Sequence, residues 1–199
     1  MVNTRWPTTV RQKQIVAAAR KLIAKYGSEH LTVRRIAKEI GVSEGAVYRH
    51  FRSKADVLSF LIEDVENTLL AEVEASYSSA SNTLEALENI IAGHISAVEQ
   101  RKGITFQVIA EVVSLGNKKL NAKTSGAIAK YIGRIREILS EGVETGTIRS
   151  DIDVDTAATL FFGMIQGAVS MWTLNHSDFV LEEKYAPLWL IFREAIVKR

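Results

Sequence analysis

The chain has 199 residues, 47% of them apolar, no Cys, and a formal net charge of +2. That length supports one large or two small domains with a sizeable core, and that apolar content excludes a disordered chain. The lack of Cys excludes disulfide frameworks and thiolate metal sites and suits a reducing cytoplasm. No apolar stretch of signal-peptide type follows Met1. The small net charge hides an asymmetry. Residues 1–58 hold twelve Lys/Arg and four Asp/Glu, a net of +8; the remainder hold thirteen and nineteen, a net of −6. A basic N-terminal quarter on an acidic body fits a nucleic-acid-binding module joined to a second domain, with a solvated basic face as the alternative.

Helical periodicity runs almost throughout and no strand-like alternation stands out, so an all-α fold of about nine helices is expected. Thr9 with Gln12 reads as a capping box. Ile15, Ala18, Ala19, Leu22, Ile23 and Tyr26 then form one apolar stripe, stopped by Gly27. Leu31, Ile36, Ala37 and Ile40 form a second, shorter stripe ended by Gly41, where the residue after a helix favours positive φ. Ser43 caps a third helix that buries Val47 and Phe51 and carries Tyr48, Arg49 and His50 near its end. Ser53 with Asp56 starts a long helix to about residue 76, with Val57, Leu58, Leu61, Ile62, Val65, Leu69 and Val73 inward; serine-rich 76–81 is a loop. Further helices are expected at Thr83–Gln100, Ile104–Leu115, about 121–144, 153–175 and about 181–198. Residues 156–174 carry no charge and are long enough to span a bilayer. Their Thr, Gln and Ser content and the lack of basic flanks favour a buried helix of a soluble protein.

Residues 32–54 have the layout of a helix-turn-helix, whose second helix lies in the DNA major groove. Thr32 caps the first helix and faces the backbone, and Gly41-Val42-Ser43 supplies the turn. Gly45 permits close approach, and Glu44 is a possible acceptor for cytosine N4. Tyr48 and His50 carry polar tips suited to phosphate, and Lys54 adds a cation at a helix start. Arg34, Arg35, Lys38, Arg49 and Arg52 supply further positive charge. Alternative readings stand beside these: a core Tyr48, a surface His50, a solvated Lys54.

Residues 10–55 resemble the DNA-binding domain of TetR-family transcriptional regulators. The matching residues are Ala19–Leu22, Tyr26-Gly27, Thr32, Ile36-Ala37, Gly41-Val42-Ser43, the run from Gly45 through Phe51, and Ser53-Lys54. The resemblance implies that Thr32, Ser43, Tyr48, His50 and Lys54 touch the DNA backbone and that Glu44, Gly45 and Val47 lie near bases. Some family members have a basic residue at the position of Glu44, and an acid there meets phosphate repulsion. The resemblance also implies a DNA-binding domain at 1–52 and a helical ligand-binding and dimerisation domain at 53–199.

Residues 153–175 are apolar on nearly every face, which fits a helix packed both inside its own subunit and against a partner. With the last helix they are expected to form a four-helix dimer interface using Phe161, Ile165, Ala168, Tyr185, Trp189 and Phe192; an intrachain core is the alternative. A small-molecule pocket is expected among His94, Phe106, Gln107, Glu111, Tyr131, Phe162, Gln166 and Trp172. No cofactor or metal is expected. His30, His50, His94 and His176 are scattered singly, and no nucleophile elbow or phosphate loop appears. The expected function is a cytoplasmic, homodimeric DNA-binding repressor released by a small molecule. The alternative is a DNA-binding protein that works through a protein partner, as in cell division.

Overall fold

The computed structural model describes residues 8–175 and 178–198. Nine α-helices and one 3-10 turn make up the regular structure among them. The helices are α1 (Thr8–Tyr26), α2 (Val33–Glu39), α3 (Glu44–Tyr48), α4 (Lys54–Ser78), α5 (Thr83–Gln100), α6 (Ile104–Leu115), α7 (Lys118–Glu144), α8 (Val154–Leu174) and α9 (Glu182–Ile196). The 3-10 turn is Ser28–His30. The Thr9 side chain and His176 lie outside the described set.

The chain forms two compact units. One comprises the residues through Asp64 together with Gln107–Thr124; the other comprises Val65–Phe106 and the residues from Ser125 onward. Helices α4, α6 and α7 each contribute residues to both.

In the first unit α1 packs on α2, and α2 on α3. Ile15, Ala19, Leu22, Ile23, Leu31, Ile36, Ala37, Val47, Phe51, Val57, Leu58 and Leu61 are buried. The Phe51 ring meets Phe60 edge-on at 5.5 Å. The long charged side chains of this unit pair at its surface: Lys123 Nζ lies 3.0 Å from Glu63 and 3.0 Å from Ser59 Oγ.

In the second unit α5, α8 and α9 pack on one another. Leu87, Ile91, Ile95, Ile135, Ile138, Leu139, Phe161, Ile165, Trp189 and Phe192 belong to one apolar cluster. Asp153 caps α8 by accepting from the Asp155 and Thr156 amides, as its place before an uncharged helix demands. At Gly142 a Cβ would stand 2.6 Å from Ile148 Cδ1, so only glycine lets that loop close over α7. An open groove of about 480 Å³ lies between the end of α4, the start of α5 and the end of α7, lined by Tyr77, Asn82, Thr83 and Glu141 among others. None of the eight expected ligand residues lines it.

Candidate nucleic-acid interface

Local chemistry builds the helix-turn-helix. Thr32 Oγ1 accepts the Arg35 amide at 3.2 Å, and Ser43 Oγ accepts the Ala46 amide at 3.2 Å. Each hydroxyl thereby satisfies one orphan donor of its helix and keeps its own proton to donate elsewhere, for instance to a phosphate oxygen. The turn is a Schellman closure, with Val42 N–H donating to Ala37 C=O at 2.9 Å and Gly41 N–H to Lys38 C=O at 3.3 Å. It holds Gly41 at φ 68, a conformation that favours glycine.

Among the expected DNA-contacting residues, Thr32, Arg34, Ser43, Glu44, Gly45, Tyr48 and Arg49 are exposed on this unit. A Cβ added at Gly45 would find only Ser43 Oγ, at 4.0 Å, so no neighbour in the chain requires glycine there. Tyr48 points outward, which removes the core alternative for it. His50 is half-buried, and its Nδ1 is enclosed without a partner in the protein.

Three expectations change. Val47, expected near bases, is 0% exposed and packs inward, so its side chain cannot reach a base edge. Helix α3 ends at Tyr48, leaving Arg49 as its C-cap and His50 beyond it. Tyr26, assigned to the apolar stripe of α1, is 46% exposed; Lys25 Nζ sits 5.1 Å and the Arg35 guanidinium 5.5 Å from its ring centre. A tyrosine ring attracts cations to its face, so it gathers positive charge at the surface instead of filling the core. The i, i+3/i+4 spacing alone does not distinguish those two uses.

Lys54 is held from two sides. Its Nζ is 2.7 Å from Glu111 Oε1 on α6 and donates to Ser28 C=O at 3.0 Å.

The expected ligand residues divide between the units. Gln107 and Glu111 belong to the first; His94, Phe106, Tyr131, Phe162, Gln166 and Trp172 belong to the second. There His94 Nδ1 and the Tyr131 hydroxyl lie 3.2 Å apart, with the rings edge-on at 5.6 Å, and Tyr131 meets Phe162 at 5.8 Å. Burial, reinforced by the Arg101 cation, pushes His94 down to about 4. Burial and the nearby Glu72 charge raise Tyr131 well above the ordinary phenol value. Both are neutral at pH 7 and offer hydrogen bonds without charge. Phe106 and Trp172 pack in the same cluster, and the Trp172 indole donates to Phe179 C=O at 2.9 Å.

The expected dimer residues lie largely within the core of their own unit. Phe161, Ile165, Trp189 and Phe192 are buried in their own unit, with Phe161 and Phe192 rings 5.4 Å apart, and Ala168 and Tyr185 pack against that core. The apolar side chains left outside on the same helices are Leu160, Met171 and Leu174 on α8 and Leu190 and Ile191 on α9, with Gly163 and Gly167 between those of α8. Helix α8 is long and apolar enough by composition to cross a membrane, yet 33% of its most apolar stretch is buried in the chain.

Residues 15–59 match "Bacterial regulatory proteins, tetR family", and residues 62–193 match "YsiA-like protein, C-terminal region". The chain is 28% identical to the fatty acid metabolism regulator protein of Bacillus subtilis, covering 84% of this chain and 86% of that protein. It is 25% identical to the nucleoid occlusion factor SlmA of Idiomarina loihiensis, over 94% and 95% of the two chains. The crystal structure of FadR from Bacillus subtilis in complex with stearoyl-CoA superposes with a TM-score of 0.79 at 26% identity, covering 90% and 96%. The chain therefore belongs to the tetR family of bacterial regulatory proteins and is a DNA-binding transcriptional regulator with a YsiA-like C-terminal region.

Proposed function

We propose that the chain is a cytoplasmic, homodimeric repressor of a pseudo-palindromic operator, released by a small-molecule effector of the long-chain acyl thioester class. The observation that carries the DNA part is the exposed α2–α3 surface. There Thr32, Ser43, Gly45, Tyr48 and Arg49 face outward while the apolar members of the motif turn in. Backbone contact falls to Thr32, Ser43, Tyr48, His50 and Lys54, with Arg34 and Arg49 adding phosphate attraction; Glu44 and Gly45 stand nearest the bases.

Dimerisation uses the outer faces of α8 and α9. Two-fold symmetry then sets two α3 helices about one DNA turn apart, ~34–36 Å. The effector class is supported by the likeness to the fatty acid metabolism regulator and to the stearoyl-CoA complex. His94, Tyr131 and Phe162 are the residues proposed to receive it, with Phe106, Gln166 and Trp172 of the same unit as further candidates.

The test is selection of a duplex from a random-sequence pool, followed by gel-shift titration with stearoyl-CoA. Release of the duplex supports the reading, and retention at saturating stearoyl-CoA removes the acyl-thioester effector. A second reading is favoured by the nearly full-length match to SlmA: a DNA-bound protein acting through a protein partner. It predicts retention of DNA under every effector and a stoichiometric protein complex.

A further inference from the structure

Lys54 is offered to DNA by its place in the motif, yet it is already engaged. It is the first residue of α4, and its ammonium lies 2.7 Å from Glu111 Oε1 and 3.0 Å from Ser28 C=O. All three residues belong to one compact unit. Glu111 is the one charged residue of α6, and its side chain is 12% exposed against 27% for Lys54. An ammonium has three donors. Two are committed here, and a carboxylate this close cancels most of the field that the third would present to a phosphate. A half-buried carboxylate on an otherwise uncharged helix also carries a desolvation cost. The Lys54 cation at that distance offsets part of it.

We propose that Glu111 is a positioning residue for DNA binding: its carboxylate competes with a DNA phosphate for the Lys54 ammonium and so lowers operator affinity. The inference rests on the assignment of Lys54 to the DNA backbone made above. Removing the Glu111 charge frees the cation; removing Lys54 leaves Glu111 nothing to withhold.

The experiment uses the full-length protein and a single duplex recovered by the wild type from a random-sequence pool, titrated across a series of salt concentrations. Glu111→Gln keeps the side-chain shape without its charge. It is expected to tighten binding about two- to fivefold, the scale of one partly exposed ion pair. It should also steepen the slope of log K against log salt by about 0.9 per subunit, as one more phosphate is neutralised. Lys54→Gln should weaken binding and flatten the slope, and the double variant should match Lys54→Gln alone. A purely structural role for Glu111 does not move the salt slope in that direction. Circular dichroism accompanies each variant. Should Glu111→Gln lose helicity, Glu111→Met, which keeps the apolar stem, carries the same expectation. If Lys54→Gln weakens binding while both Glu111 variants leave it unchanged or weaken it, the competition is refuted and the interface stands. If Lys54→Gln and Glu111→Gln both bind as the wild type does, the assignment of Lys54 to the backbone falls, and the inference with it.

Discussion

The α2–α3 surface and the outer faces of α8 and α9 are both exposed, but they carry opposite chemistry. On α2 and at the end of α3, Arg34, Arg35, Lys38 and Arg49 stand among hydroxyls and a bare Gly45. On α8 and α9, Leu160 is 55% and Ile191 72% exposed, with two glycines between the apolar side chains of α8. Clustered cations repel one another and gain by meeting a polyanion, whose condensed counterions they release. Exposed apolar side chains gain by leaving water, and a second copy of the same face is a self-complementary way to do so. The two surfaces therefore differ in how binding responds to conditions. The first is salt-dependent and the second is close to salt-independent.

The largest effect is expected from breaking the apolar side of this contrast. Leu160→Asp combined with Ile191→Asp places four charges in a two-fold interface. Sedimentation should show dimer association weakened by at least about 4 kcal/mol, a thousandfold, with operator binding lost as a consequence. A dimer of undiminished stability would move the interface elsewhere.

Charge inside the second unit is the next lever. The buried His94 is held down to about 4, whereas its unfolded value is near 6.5. The unfolded chain binds the extra proton first as pH falls between those values. Stability is therefore full above the unfolded value and drains as pH drops from about 6.5 towards about 4, by up to about 3 kcal/mol from this one group. Urea unfolding at a series of pH values should show that slope, and His94→Gln should flatten it. Equal slopes in the two proteins would exclude His94 as the source.

The smallest effect sharpens the polar side. Gly45→Ala meets open space in the protein and restores helix propensity, so the melting temperature should hold or rise. Operator affinity should nevertheless fall about fivefold, the ~1 kcal/mol scale of one displaced contact. Unchanged affinity would mean that DNA does not approach α3 at that point.

Much of the architecture is legible along the chain because it is local. Helices Thr83–Gln100 and Ile104–Leu115 lie where the sequence places them. The Thr32 and Ser43 caps act across three residues, and the Gly41 turn across five. Helix α7 begins earlier than expected, because Asn117 Oδ1 accepts the Lys119 and Leu120 amides and supplies a cap that apolar periodicity does not reveal. Periodicity also fails where a helix is apolar all round. Phe161 and Leu160 are neighbours on α8, equally hydrophobic by type, yet one is fully buried and the other exposed.

The sequence by itself determined what its short-range chemistry can encode: helix ends, the turn, the basic motif and the family it announces. Tertiary packing set which face of α8 and α9 turns inward, kept Tyr48 out of the core, and brought Glu111 to a lysine 57 positions earlier in the chain. Those outcomes depend on which distant side chains arrive as neighbours. A helix with no polar side has no preferred direction until they do.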